Sequence, residues 1–140
     1  MHVQEPQEHE PTTSAWTAAE AFTAKDAVKL LADELSVEDT AELIENWLKD
    51  TPERITDLEK LAAGQDQSAL RRTAHSLKGS SSLFGLTHIH TLCRDLEHLA
   101  KSNSRAEQPS LVAQIRHGFA TAEPSLRQEL THLRSTTLTS

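Results

Sequence analysis

From residue 36 onward, apolar side chains recur every three or four positions, the spacing that keeps them on one face of an α-helix. Leu43, Ile44, Trp47, Leu48, Ile55, Leu58 and Leu61 carry this rhythm through a long helix opened by Ser36 and Asp39 and stopped by Gly64. Pro52 falls inside that run and predicts one lost backbone hydrogen bond and a bend. After a turn over residues 65–68, a further helix is expected from about Gln67 to Phe84, broken by Gly85. Another runs from about Leu86 to Lys101, with Leu86, Ile89, Cys93, Leu96 and Ala100 on one face. The stretch "SNSRAEQPS" reads as a loop. The last helix, from about Ser110 to Arg134, is apolar at Leu111, Ile115, Phe119, Ala122, Leu126, Leu130 and Leu133, and Pro124 predicts a kink or break in it. Ahead of these, "TAKDAVKLLADEL" predicts a short helix from about Ala24 to Leu35, with Thr23 as N-cap and Asp26 three residues on, and a turn holding Trp16 and Phe22 before it. The pattern predicts an all-α protein: an antiparallel four-helix bundle with a short additional N-terminal helix.

Composition sharpens this picture in a few places. The chain has 140 residues, enough for one modest core. Sheet-forming runs are missing, and four glycines and five prolines are few enough for long helices to persist. A formal charge of −7 argues against nucleic-acid binding, which normally shows a basic face. The stretch Gly79 to Cys93, free of Asp, Glu, Lys and Arg, is too short and too polar to span a bilayer, so no membrane segment is expected. The opening "MHVQEPQEHEPTTSAW" has no basic region followed by an apolar one and is read as a disordered tail over residues 1–15 rather than a secretion signal. The domain is then expected over residues 16–135, with a flexible C-terminus at 136–140. Cys93, the single cysteine, is expected as a buried thiol, consistent with a reducing cytoplasm.

The unusual stretch is "TAHSLKGSSSLFG", residues 73–85. At about 100° per residue, Leu70, Thr73, Ala74, Leu77, Ser81 and Phe84 share one arc of the helix expected from about Gln67 to Phe84, and that arc must face the core. Arg71, His75, Lys78, Gly79 and Ser82 fall on the opposite flank, so His75 projects from the bundle. Gly79 lies over the next turn and leaves the imidazole unshielded there, at a cost to the helix of about 1 kcal/mol relative to alanine. An exposed imidazole is largely unprotonated at neutral pH and can carry a covalent intermediate. A lysine one turn away can pair with a transferred anion. Missing are a glycine-rich phosphate loop, a carboxylate cluster for Mg²⁺ on this face and a Ser–His–Asp arrangement. A nucleophile and a counter-charge without further machinery suggest a carrier, not an enzyme.

The segment "AHSLKGSSSLFG" resembles the signature of the histidine-containing phosphotransfer (HPt) domain, roughly A-H-x-L-K-G-[SA]-[SA]-x-x-x-G. The resemblance covers about residues 24 to 134, including "LCRDLEHLA", which is similar to the family's following helix. It implies that His75 is phosphorylated on the ring nitrogen far from the backbone, that Lys78 steadies the phosphoryl group, and that Gly79 admits a receiver domain. Arg71 and Ser82 are further candidates for partner contact. The implied partners are receiver domains of a hybrid sensor kinase or a response regulator in a two-component phosphorelay. The expectation is a cytoplasmic monomer with no cofactor or metal of its own, Mg²⁺ belonging to the receiver.

Blander readings stand beside these. His75, Lys78 and Arg71 are each at home as solvated surface residues, and Ser76, Ser80, Ser81 and Ser82 suit close helix packing and a smooth docking face. An adaptor that docks receivers without carrying phosphate is one alternative, although His75 and Lys78 speak against it. A metal-binding bundle is another; of the Glu-x-x-His spacings such sites use, only Glu129 and His132 provide one, and His88 and His90 point to different faces.

Overall fold

The computed structural model describes residues 24–139, with the side chains of 137–139 left aside. Five helices follow one another: α1 (24–34), α2 (Val37–Ala63), α3 (Gln67–Leu83), α4 (Thr87–Lys101) and α5 (Gln108–Thr139). There is no strand among the described residues. Short turns reverse the chain between α2, α3, α4 and α5, and each of the four packs on two neighbours in the ring α2–α3–α4–α5. The tail over residues 1–15, the cap at Thr23 and the turn at Trp16 and Phe22 lie outside the described residues.

Each helix end has a local cause. The Ser36 hydroxyl accepts from Asp39 N–H (2.9 Å) at the start of α2, and the Asp66 carboxylate accepts from Ala69 N–H (3.0 Å) at the start of α3. The end of α3 is a Schellman turn: Leu86 N–H reaches Ser81 C=O (2.9 Å) and Gly85 N–H reaches Ser82 C=O (3.0 Å), with Gly85 at φ 69°. Asn103, at φ 58°, closes α4 in the same way, its N–H on Ala100 C=O and that of Ser104 on Leu99 C=O. The loop after α4 is therefore shorter than expected, and α5 begins at Gln108 with Pro109 in its first turn, where a missing N–H costs nothing.

One proline does less than the sequence allowed for. Pro52 and Pro124 both stand inside unbroken helices, so the expected break at Pro124 does not occur. Pro124 is exposed, and so is Ala120, whose carbonyl it deprives of a partner; water can take that bond. On the opposite face Phe119, Ala122, Leu126 and Leu133 are buried on both sides of the proline. Breaking the helix there would expose them, at about 1.5–3 kcal/mol for each large side chain.

The core closes around an aromatic cluster. Trp47 meets Phe84 edge to face at 5.7 Å and lies against Phe119 at 5.4 Å, joining α2, α3 and α5. Leu70, Ala74, Leu77, Ser81 and Phe84 are buried, as the helical arc requires, while Thr73 is half-buried at its border. Leu43, expected in the α2 stripe, is instead exposed. At Gly118, α4 and α5 approach so closely that a Cβ would sit 3.2 Å from Ile89 Cγ1. None of the described helices is long and apolar enough to cross a membrane.

Gly79 in α3 and Gly85 in the turn that ends it should respond oppositely to alanine. A Cβ at Gly79 would meet nothing within 4 Å, so Gly79→Ala is expected to stabilise the fold by up to ~1 kcal/mol on propensity. Gly85→Ala places a side chain at positive φ and is expected to destabilise it by about 1 kcal/mol. Urea unfolding of both variants checks this, and shifts of the same sign would contradict the backbone argument.

Candidate functional site

The exposed flank of α3 meets α4 through one acidic side chain. His75 projects from the bundle with 67% of its side chain accessible, and its Nδ1 lies 2.9 Å from Glu97 Oε2. A carboxylate only accepts, so Nδ1 carries the proton and donates. Lys78 Nζ stands 2.8 Å from the other oxygen, Glu97 Oε1, which is shielded from solvent. Two residues one helical turn apart thus share one carboxylate from the neighbouring helix, and Nε2 of His75 is the nitrogen turned away from it.

Desolvation on its own would raise the Glu97 carboxyl, but the hydrogen bonds from Lys78 and His75, with their charges, outweigh it and hold it below the usual glutamate range. The register that delivers Glu97 is fixed by its surroundings. His90 Nδ1, one turn into α4, donates to the Lys78 backbone carbonyl at 3.3 Å. Cys93, one turn before Glu97, is buried in the bundle as expected, and burial, with the nearby Glu97 charge, pushes its thiol up to about 12 against the opposing pull of Lys78. It is a packing residue with little thiolate character.

The other side of α3 is tied to α2. Trp47 Nε1 donates to Ser80 Oγ (3.0 Å), and Arg54 Nη1 donates to Ser76 Oγ (2.8 Å). The serines, expected mainly as small spacers, are thus two rungs of a polar seam, while Ser81 is buried and Ser82 exposed. Gly79 is exposed beside His75 with open space over its Cα. Arg71 is exposed and makes no side-chain hydrogen bond or ion pair among the described residues. Neither Arg71 nor Ser82 is drawn into the group formed by His75, Lys78 and Glu97.

Among the described residues, no three His, Cys, Asp or Glu side chains gather to hold a metal ion. His88 and His90 do diverge: His90 faces α3, whereas His88 lies toward α5, close to Gly118 and influenced by His117.

The model of the Hpt domain family matches residues 42–136. The chain belongs to the Hpt domain family. The crystal structure of histidine-containing phosphotransfer protein B (HptB) from Pseudomonas aeruginosa PAO1 is similar, with a TM-score of 0.72 and 28% identity over 76% of this chain and 92% of that one. No curated protein matches the chain. As an Hpt domain in an all-α bundle, it is a histidine phosphotransfer protein of a phosphorelay, a carrier that meets receiver domains.

Glu97 escaped the reading of the sequence. It borders the apolar stripe of α4, four residues after buried Cys93 and next to buried Leu96, and an acid at that border is the signal that was there to find. Its depressed carboxyl gives a direct check: a carbon NMR titration should place its midpoint below that of an ordinary glutamate, and a raised midpoint would mean that desolvation prevails over the Lys78 and His75 contacts.

Proposed function

We propose that His75 is the phosphoacceptor and that Nε2 is the atom that carries the phosphoryl group. The observation that carries this reading is the contact of His75 Nδ1 with Glu97 on a ring that is otherwise open to solvent. With the proton held on Nδ1, the Nε2 lone pair faces outward. It attacks the phosphorus of a receiver's aspartyl phosphate; the N–P bond forms, the acyl O–P bond breaks, and the aspartate leaves as a carboxylate. No proton has to move, because Nδ1 keeps its own and the resulting imidazolium rests on Glu97. Return transfer to a second receiver reverses these bonds, so the same site serves as acceptor and donor.

Lys78 has a second task in this scheme. Before transfer it neutralises Glu97; afterwards the phosphoryl dianion on the neighbouring ring competes for the ammonium. Gly79 leaves the approach over Nε2 bare for the receiver's backbone, and Arg71 and Ser82 border the same flank as points of partner contact. The protein acts as a cytoplasmic monomer, not an enzyme, that holds no cofactor or metal, and the Mg²⁺ for transfer is the receiver's.

The test is incubation with phosphorylated receiver and intact-mass measurement. Wild type should gain one acid-labile, alkali-stable phosphoryl group, and His75→Gln none while folding normally, since the position is exposed. Full labelling of that variant removes the assignment, and an unlabelled wild type favours the adaptor reading. Lys78→Ala should shorten the lifetime of the phosphorylated form, and Glu97→Ala, which frees the ring, should slow transfer on the order of 10-fold. Gly79→Gln should impair receiver-dependent transfer much more than phosphorylation by phosphoramidate, which needs no docked protein.

A further inference from the structure

Arg54 is a cation in no ion pair among the described residues. Elsewhere on the long helices, Arg116 pairs with Glu59, Arg127 with Glu123 and Arg134 with Glu45, all at 2.6–2.7 Å. Arg54 has no carboxylate partner among the described residues; its recorded bond is the one to the neutral hydroxyl of Ser76, at 2.8 Å. One such bond orients the guanidinium and leaves most of its five N–H donors free. Ser76 follows His75 directly in the chain, so the guanidinium is parked at the edge of the phosphotransfer site.

Its side of that site is also defined. The His75 ring and Lys78 are both drawn toward α4 by Glu97. Ser76 and Ser80, one turn apart, are gripped from α2 by Arg54 and Trp47. Arg54 therefore flanks His75 on the side away from Lys78, too far round the helix to share the phosphoryl group with it, but on the surface that a partner covering Nε2 must meet. Arg71 and Arg72, exposed on the adjoining turn of α3, likewise have no carboxylate partner among the described residues. A chain of net charge −7 thus presents arginines outside any ion pair beside the site where a partner arrives with an anionic aspartyl phosphate.

We propose that Arg54, held by Ser76, is a docking residue that pairs with a carboxylate on the receiver's surface beside its reacting aspartate and so helps select which receivers exchange phosphate with this Hpt domain. This rests on the reading of His75 as the phosphoacceptor. A rim charge of this kind steers encounter and suppresses partners of the wrong charge, and the Ser76 bond reduces the ordering that binding would otherwise require.

The test compares Arg54→Lys, Arg54→Ala and Arg54→Glu in the full chain, using a receiver domain that exchanges phosphate with wild type. Arg54→Glu should raise the receiver KM on the order of 10-fold at low salt, Arg54→Ala less, and Arg54→Lys least, with kcat little changed and the differences shrinking as salt screens them. Melting temperature and the rate of phosphorylation by phosphoramidate should stay at wild-type values. An unchanged receiver KM in Arg54→Glu overturns the proposal. So does an equal loss with phosphoramidate, which would put Arg54 on the phosphoryl group, or a fall in melting temperature that tracks the loss, which would make it structural. If wild type exchanges phosphate with no receiver, the reading of His75 fails first and this proposal with it; normal wild-type exchange with an indifferent Arg54→Glu sinks this proposal alone.

Discussion

The Glu97 carboxylate accepts a hydrogen bond from Nδ1 of His75 on one oxygen and pairs with the Lys78 ammonium on the other, and the chemistry of the exposed flank depends on that sharing. A free surface histidine samples several rotamers and two tautomers, each turning a different nitrogen to solvent. An acceptor fixed on a second helix selects one tautomer and one ring direction. The same carboxylate keeps Lys78 close to the imidazole without spending its charge on a distant partner. For Glu97 to do this it must stay ionised while largely covered, and the two cationic or proton-donating neighbours are what keep its pKa depressed.

Everything beneath the site serves the register between α3 and α4. The Schellman turn at Gly85 sends the chain directly back, so α4 starts with Leu86 already buried. From there Ile89, Cys93, Leu96 and Ala100 follow the core, and Glu97 arrives beside Lys78 on the border of that stripe. The bond from His90, about two turns before Glu97, to the Lys78 carbonyl pins the same pair of helices. On the other side, Trp47 anchors α3 through both its ring contact with Phe84 and its bond to Ser80. His75 is thereby a mobile-looking surface residue on a rigid element, held between two supports.

Much of this was legible in the sequence because it depends on local rules. Helical spacing located α2 to α5 and put His75 outside the core, Ser36 and Gly64 marked the ends of α2, and the run from Ala74 to Gly85 carried the family resemblance. The break allowed for at Pro124 failed for a physical reason: a proline removes one hydrogen bond locally, whereas the buried stripe across Pro124 holds the helix over several turns. Leu43 was misplaced because an apolar residue at the edge of a stripe reads the same whether or not a neighbouring helix covers it. Glu97 and Arg54 stayed hidden because their importance lies in pairings 22 residues apart in the chain, which exist only once two helices are set in register.

The most direct test of the account is the protonation state of the two His75 ring nitrogens, read by nitrogen–proton NMR at mildly alkaline pH before and after phosphotransfer. The account predicts a proton on Nδ1 and a bare Nε2 in the unphosphorylated protein, and phosphorus coupled to Nε2 afterwards with the Nδ1 proton retained. A proton on Nε2 before transfer, or phosphorus on Nδ1 after it, would contradict the role assigned to Glu97.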